Sequence, residues 1–235
     1  MENVKVLYVR YLAKIRRSVK GRGILNSILL IPKRYFQTFM FREFDLGGVI
    51  DKHKLDGPVE VKEHAEKFES SNPVFFRKMF DNLDWPFQNS TFVDFGCGKG
   101  ASLVYASKLG FKKVIGIEYS SSLARIAESN MKKLSNKIGR KVDCEIINSD
   151  AALYEIPAEA DCFYFFNPFD AIVLDRVIQN INKSLEINNR RILIVYVNAL
   201  HNHVIEKYHY QIVKHLTTKE LDIYYLGGAY VYKNF

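Results

Sequence analysis

Apolar residues near the start of the chain recur at three- and four-residue steps. Val4, Leu7, Tyr8, Tyr11, Leu12, Ile15 and Val19 share one helical face, and Lys and Arg fill the other, which predicts a basic amphipathic helix over residues 4–20. Gly21-Arg22-Gly23 ends it, and a second short apolar helix over 24–31 stops before Pro32. An aromatic-rich stretch over 35–44, Gly47-Gly48 and a polar loop through Pro58 follow. The pattern then changes. Asn72-Pro73 supplies an N-cap and a proline at the first position of a helix ending near Leu83. Short apolar runs over 91–95, 113–118, 142–147, 161–166 and 191–197 read as buried strands, separated by helices over 100–109, 121–138 and 171–185. Two further strand-like runs, 210–216 and 221–232, close the chain. Alternating units of this kind specify an α/β fold, here a doubly wound, seven-stranded, mostly parallel sheet covered on both faces. The expected organisation is a basic helical arm over 1–43 and one α/β domain over 44–235.

Composition narrows the class. With 48% apolar and 26% charged residues, the 235-residue chain has the make-up of an ordinary soluble globular protein. Cys97, Cys144 and Cys162 form an odd set without a CxxC pair, which argues against a disulfide framework or a zinc site and for a reducing, cytoplasmic compartment. No metal site is expected. The net charge of +8 is unevenly placed: ten Lys/Arg face only Glu2 within residues 1–42, leaving 24 basic and 25 acidic residues from Glu43 onward. The domain itself therefore makes no electrostatic case for a polyanion partner. Three readings stand for the arm: packing on the domain or a second subunit, contact with an anionic membrane surface, and, least favoured, nucleic acid. No run approaches the roughly 20 apolar residues of a membrane span, and charges interrupt the apolar positions that a secretion signal would need.

The candidate chemistry lies at the carboxyl ends of the expected strands, where ligands of such sheets bind. Val93-Asp94-Phe95-Gly96-Cys97-Gly98-Lys99-Gly100 joins the first strand to a helix. Its glycines permit a tight turn and close approach of a ligand to the backbone. Gly96, Gly98 and Ala101 also satisfy the GxGxxG/A dinucleotide fingerprint. Charge separates the two readings. Asp94, two residues before the first glycine, would repel a pyrophosphate but suits the ammonium and sulfonium of S-adenosylmethionine. The competing role for Asp94 is a cap on the following helix. Glu118 ends the second strand, 22 residues after Gly96, where an acid accepts hydrogen bonds from ribose hydroxyls. Asp150, in Asn148-Ser149-Asp150-Ala151, can accept from the exocyclic amine of adenine, although turn chemistry alone also accounts for it. In Phe165-Phe166-Asn167-Pro168-Phe169-Asp170, the proline biases Asn167 toward extended geometry, with its amide directed into the cleft to orient an acceptor amine. Phe169 stacks on a flat substrate or covers the site; a plain strand-to-helix turn with a core Phe is the competing reading. Tyr196, Asn198 and His201 fall on the same rim, and His201, with His203 and His209 nearby, reads better as a surface histidine than as a general base.

The order DxGxGxG, acid after strand two, Asp after strand three and Asn-Pro-Phe after strand four resembles the class I S-adenosylmethionine-dependent methyltransferases, from about Phe44 to the C-terminus. More narrowly, FVDFGCGKG, VIGIEYS, FFNPF and VYVNALH are similar to a bacterial subgroup often associated with surface-glycan genes. Phe44 to Val49 and Phe68 to Pro73 resemble that subgroup's pre-domain segment, which helps to close the cofactor pocket, with Phe68 and Asn72-Pro73 replacing its usual Tyr and Thr-Pro. The resemblance implies a Rossmann-like fold and S-adenosyl-L-methionine as cofactor. It implies Asp94, Gly96 and Gly98 at the methionine moiety, Glu118 at the ribose and Asp150 at adenine. Cys97, Tyr119, Ala151 and Asn167 complete the expected cofactor set, and Asn167 and Phe169 the catalytic pair. Asn167-Pro168-Phe169 also partly resembles the [DNS]PP[FY] motif of enzymes that methylate amide or base nitrogens, but lacks its second proline, which weakens a nucleic-acid acceptor. The expected function is methyl transfer to a nitrogen or oxygen of a small molecule, glycan or protein. Such a transfer is an in-line displacement at an activated carbon, so the protein supplies positioning and a water-poor site rather than a nucleophile or metal. A non-catalytic S-adenosylmethionine-binding regulator and an NAD-binding oxidoreductase remain as alternatives.

Overall fold

The computed structural model describes residues 41–221 and 227–235. The helices expected over 4–20 and 24–31 lie outside them. Along the described chain run β1 (Val49–Ile50), α1 (Val59–His64), β2 (Phe68–Glu69), α2 (Pro73–Phe80), β3 (Thr91–Phe95), α3 (Ala101–Leu109), β4 (Lys113–Glu118) and α4 (Ser121–Ile138). They are followed by β5 (Cys144–Asn148), β6 (Ala160–Phe166), α5 (Ala171–Ile187), β7 (Leu193–Val197), α6 (Asn202–Glu206), β8 (Gln211–Leu216), α7 (Thr218–Leu221) and β9 (Ala229–Lys233).

The expected seven-stranded sheet forms, in the order β5-β4-β3-β6-β7-β9-β8. The first five strands are mutually parallel, and β9 lies antiparallel between β7 and β8. The chain leaves β3 in one direction through β4 and β5, then in the other through β6 and β7. The strand order therefore reverses between β3 and β6, the position at which such sheets bind ligands.

The central strands are buried almost throughout, and largely apolar, because both of their faces are covered. Phe92 and Tyr164 pack with Phe76 of α2, Leu103 of α3 and Met131 of α4 on one face. Val93, Phe95, Phe163 and Phe165 pack with Val177 and Ile181 of α5 on the other. Asn72 caps α2 as expected, its side chain accepting from the Val74 amide at 2.9 Å. Among the described residues no helix is long and apolar enough to cross a membrane.

The segment preceding α2, read from sequence as a polar loop through Pro58 with no element assigned over 59–71, has structure of its own. β1 and β2 form an antiparallel pair of two residues each, too short to leave a periodicity. Phe41 sets its ring 5.0 Å from that of Tyr105. Asp45 ties the segment down: its amide donates to Asn130 Oδ1 at 3.0 Å, and its carboxylate receives Lys99 Nζ at 2.7 Å. Asp56 receives the hydroxyls of Ser120, Ser121 and Ser122 at 2.5–2.6 Å, at the N-terminus of α4. Those bonds hold its carboxyl well below the usual carboxylate range. Residues 41–71 thus arch over the carboxyl ends of β3, β4 and β6.

Other boundaries differ from expectation: α2 ends at Phe80 rather than near Leu83, and β7 starts at Leu193 rather than Arg191. β5 starts at Cys144 rather than Val142, because the Val142 amide is donated to Ser135 Oγ of α4 at 3.1 Å. Of the strand expected over 221–232, Leu221 closes α7 and β9 covers 229–233, while residues 222–226 lie outside the described residues. Glu220 accepts from the Thr217 amide and hydroxyl, both at 2.8 Å, as a helix-opening box of Thr and Glu does.

Gly116 of β4 offers a test of this packing. A Cβ there would lie 2.6 Å from Cys97 Sγ and 2.7 Å from Leu103 Cδ1. Gly116→Ala is expected to cost about 1–3 kcal/mol by overpacking. Urea denaturation should show the loss, and unchanged stability would mean the turn and α3 pack more loosely than described.

Candidate functional site

The turn after β3 carries Gly96, Gly98 and Gly100 with φ of +78°, +54° and +78°, which favours glycine. Protein atoms add a second requirement. A Cβ on Gly98 would overlap the Phe68 ring, and one on Gly96 would lie 2.6 Å from Pro168 Cβ. The close approach anticipated for a ligand is thus made in part by the chain itself. The amides of the turn are also spoken for. Gly96 N and Cys97 N donate to Ile117 O at 2.9 and 3.0 Å, Gly98 N donates to Glu118 Oε2 at 2.8 Å, and Gly100 N donates to Cys97 O at 2.8 Å. Phosphate-binding turns work by aiming free amides at the anion. Here those four are committed, one of them to a carboxylate.

Beside the turn opens a cleft of about 230 Å³, lined on one side by the strand ends and on the other by residues of the 60–71 segment. Asp94, Gly96, Cys97, Glu118, Tyr119, Asp150, Ala151 and Phe169, all expected from sequence, line it. Gly98 and Asn167 do not. Asp94 is 3% exposed and Glu118 4%. Asp94 accepts from Ser102 Oγ in the first turn of α3, while the N-cap position of that helix is Gly100. Glu118 accepts from Gly98 N through one oxygen and from Ser120 N, at 2.9 Å, through the other. Burial pushes both acids up to about 7; for Asp94 the neighbouring Glu118 charge adds to it, and the bonds from Ser102, Ser120 and Gly98 oppose it. No cationic side chain among the described residues offsets either charge. Tyr119, also on the cleft wall, holds a buried hydroxyl without a partner.

The remaining expected residues fall as follows. Asp150 caps the short 3-10 turn Ala151–Leu153, Oδ1 accepting from Ala152 N at 2.9 Å, and still faces the cleft. Asn167 departs from expectation. Its φ is +41°, left-handed rather than extended, and its Oδ1 accepts from Tyr196 OH at 2.9 Å inside the protein. The proline rule is overridden by tertiary contacts. Pro168 is seated on Gly96, Glu66 N donates to Pro168 O at 2.9 Å, and Asp170 N donates to His64 O at 2.9 Å, with an antiparallel bridge between Ala65 and Phe169. Asn is among the side chains most tolerant of the resulting backbone. His201 opens α6, its amide donating to Tyr196 OH at 3.4 Å, and is not on the cleft wall.

Other participants were missed. His64 lines the cleft and bonds Asp170 through Nδ1 at 2.7 Å, a pairing across 106 residues that no local pattern announces. Ser102 is the second residue of α3, a position where a buried hydroxyl beside an acid-bearing turn is a usable sequence cue. Phe68 was noted, but its contact with Gly98 was not foreseen.

Residues 92–188 match a family model described as a methyltransferase domain. A protein described as a methylase from Haemophilus influenzae is similar in structure with a TM-score of 0.52, at 19% identity over 68% of this chain and 88% of that one. An RNA methyltransferase from Salinibacter ruber, in complex with S-adenosyl-L-homocysteine, reaches 0.50 at 16% identity over 71% and 92%. O-methyltransferase segments of StiE match at 17% and 19% identity with TM-scores of 0.49 and 0.46. The chain covers 63% and 62% of itself in those matches and spans only 56% and 53% of their length. No curated protein matches the chain. At such identities the structural likeness speaks for the fold. Residues 92–188 are thus similar to a methyltransferase domain, and the seven-stranded sheet has the Rossmann-like fold of these solved methyltransferases.

Proposed function

We propose that the cleft binds S-adenosyl-L-methionine and that the protein transfers its methyl group to a nitrogen or oxygen of a small molecule, glycan or protein. The observation that carries this reading is the pair of buried carboxyls, Asp94 and Glu118, facing one cleft with no cation among the described residues to offset them. A ligand bearing an ammonium and a sulfonium supplies what is missing, and the unpartnered Tyr119 hydroxyl fits its polar remainder. A pyrophosphate is disfavoured twice, by those carboxyls and by a turn in which the Gly96, Cys97, Gly98 and Gly100 amides are already donated. When bound, the cofactor contributes a methyl group already activated by the sulfonium. Asp94, Gly96 and Cys97 are assigned to its methionine end, and Glu118 and Tyr119 to its ribose. Each Glu118 oxygen accepts one amide and keeps a lone pair for a hydroxyl. Asp150 and Ala151 are assigned to adenine. Gly98 acts indirectly, by holding Glu118. Asn167 is assigned to shaping the Pro168-Phe169 turn rather than to touching the acceptor, and Phe169 to the wall against which the acceptor lies. The ten basic residues within 1–42 support peripheral contact with an anionic membrane surface, or packing against the domain or a second subunit.

The acids give the ligand-free protein a defined pH response. Their folded-state values of about 7 stand above the 3.8 and 4.5 of Asp and Glu in the unfolded chain. Between those limits the folded state holds more protons, so stability falls as pH rises, and the contribution is lost above the folded values. Thermal melts should show a midpoint declining from pH 5 to pH 8 more steeply than in Asp94→Asn/Glu118→Gln. Identical slopes would mean that the carboxyls are not held protonated.

Titration calorimetry at pH 8 should detect S-adenosylmethionine binding, weakened at least about tenfold, or ~1.4 kcal/mol, in Asp94→Asn. Preference for NAD, or an unaffected variant, would contradict the assignment. Formation of S-adenosylhomocysteine with a bacterial extract as acceptor source separates an enzyme from a non-catalytic binder.

A further inference from the structure

His64 and Asp170 form a pair that the cofactor assignment leaves unused. Both the main chain and the ring of His64 are fixed against Asp170: His64 O accepts from Asp170 N at 2.9 Å, and Nδ1 lies 2.7 Å from Asp170 Oδ2. The other oxygen of Asp170 accepts the Ile172 and Val173 amides at 3.0 and 3.1 Å, capping the 17-residue α5. Partial burial works against the Asp170 charge, but the bond from His64 and the two amides hold its carboxyl below the usual range. An ionised Asp170 takes the Nδ1 proton of the imidazole, which leaves the Nε2 lone pair free. His64 lines the cleft beside Phe169, and Pro168 of the same turn rests on Gly96. The dyad therefore stands on the acceptor side of the proposed methyl site, among Glu60, Glu66 and Arg176.

We infer that His64 is the general base for a hydroxyl-bearing acceptor, with Asp170 as its positioning residue, so that the protein is an O-methyltransferase. This rests on the cofactor assignment above. An aromatic or heterocyclic amine is unprotonated at neutral pH and offers its lone pair without help, whereas a hydroxyl is a weak nucleophile until its proton leaves. As the acceptor oxygen forms its bond to the methyl carbon, the electrons of the carbon–sulfur bond pass to sulfur, which becomes a neutral thioether. The hydroxyl proton passes to His64 Nε2, and the imidazolium so formed faces the Asp170 carboxylate. Release of that proton to solvent resets the site.

Two phenols of different acidity separate the base from a merely structural histidine. 4-Methylphenol, which ionises near 10 like tyrosine, needs its proton removed, whereas 4-nitrophenol is largely ionised by itself at pH 8. His64→Gln, which can keep the bond to Asp170, should lower turnover of 4-methylphenol about 100-fold or more and change that of 4-nitrophenol little. Calorimetric binding of S-adenosylmethionine should be unchanged. Asp170→Asn, which can still cap α5, should lower turnover of 4-methylphenol and leave that of 4-nitrophenol little changed. Without cofactor, imidazole nitrogen NMR should show the His64 proton on Nδ1. Equal losses on both phenols, no loss on either, neither phenol methylated by the native protein, or the proton on Nε2 would each overturn the inference. Cofactor binding with any of these results would leave the cofactor assignment standing; absence of binding would remove both.

Discussion

Two carboxyls placed out of water, side by side and without a counter-charge among the described residues, are the constraint around which this structure is organised. Asp94 is the penultimate residue of β3 and Glu118 the last of the adjacent β4, so the parallel register that pairs Asp94 with Gly116 brings them to the same rim. An isolated buried charge is costly, and proteins meet that cost by pairing the charge or neutralising it with a proton. Here hydrogen bonds from Ser102, Gly98 and Ser120 meet part of it, and the remainder appears as acids raised to about 7. Such an arrangement is poor for stability alone. It is suited to a cation that arrives as a ligand, and perturbed acids in a cleft are a recurring mark of function.

The enclosure that buries these acids comes from outside the methyltransferase core. The 41–71 segment is anchored at Asp45, at Asp56, at the Ala65–Phe169 bridge and at Phe68 over Gly98. The same bridge that closes the cleft carries His64 to Asp170. One stretch of chain thus supplies both the low-dielectric wall that sharpens the electrostatics and the imidazole facing the acceptor side.

Much of this was legible in the sequence where the signal is local. β3 and β4 and the whole of α4 begin and end where their apolar runs and flanking turn residues placed them, because strands buried on both faces and long amphipathic helices leave strong patterns. The glycine turn and its neighbouring acids were legible for the same reason. What was not legible is tertiary. β1, β2 and α1 are too short for a period, and the His64–Asp170 pair spans 106 residues. Asn167 shows a local rule losing to its surroundings: Tyr196 and the seating of Pro168 on Gly96 select a left-handed backbone over the extended one that a following proline favours. The glycines were read as clearance for a ligand, and half of that clearance is taken by Phe68 and Pro168.

The central claim is that a positively charged ligand replaces protons on Asp94 and Glu118. Calorimetry of S-adenosylmethionine binding at pH 6.5, repeated in buffers of different ionisation enthalpy, counts the protons exchanged. The account predicts net release at pH 6.5, fading above pH 8 as the acids ionise unaided. Binding with no proton exchange at pH 6.5, or with net uptake, would contradict it.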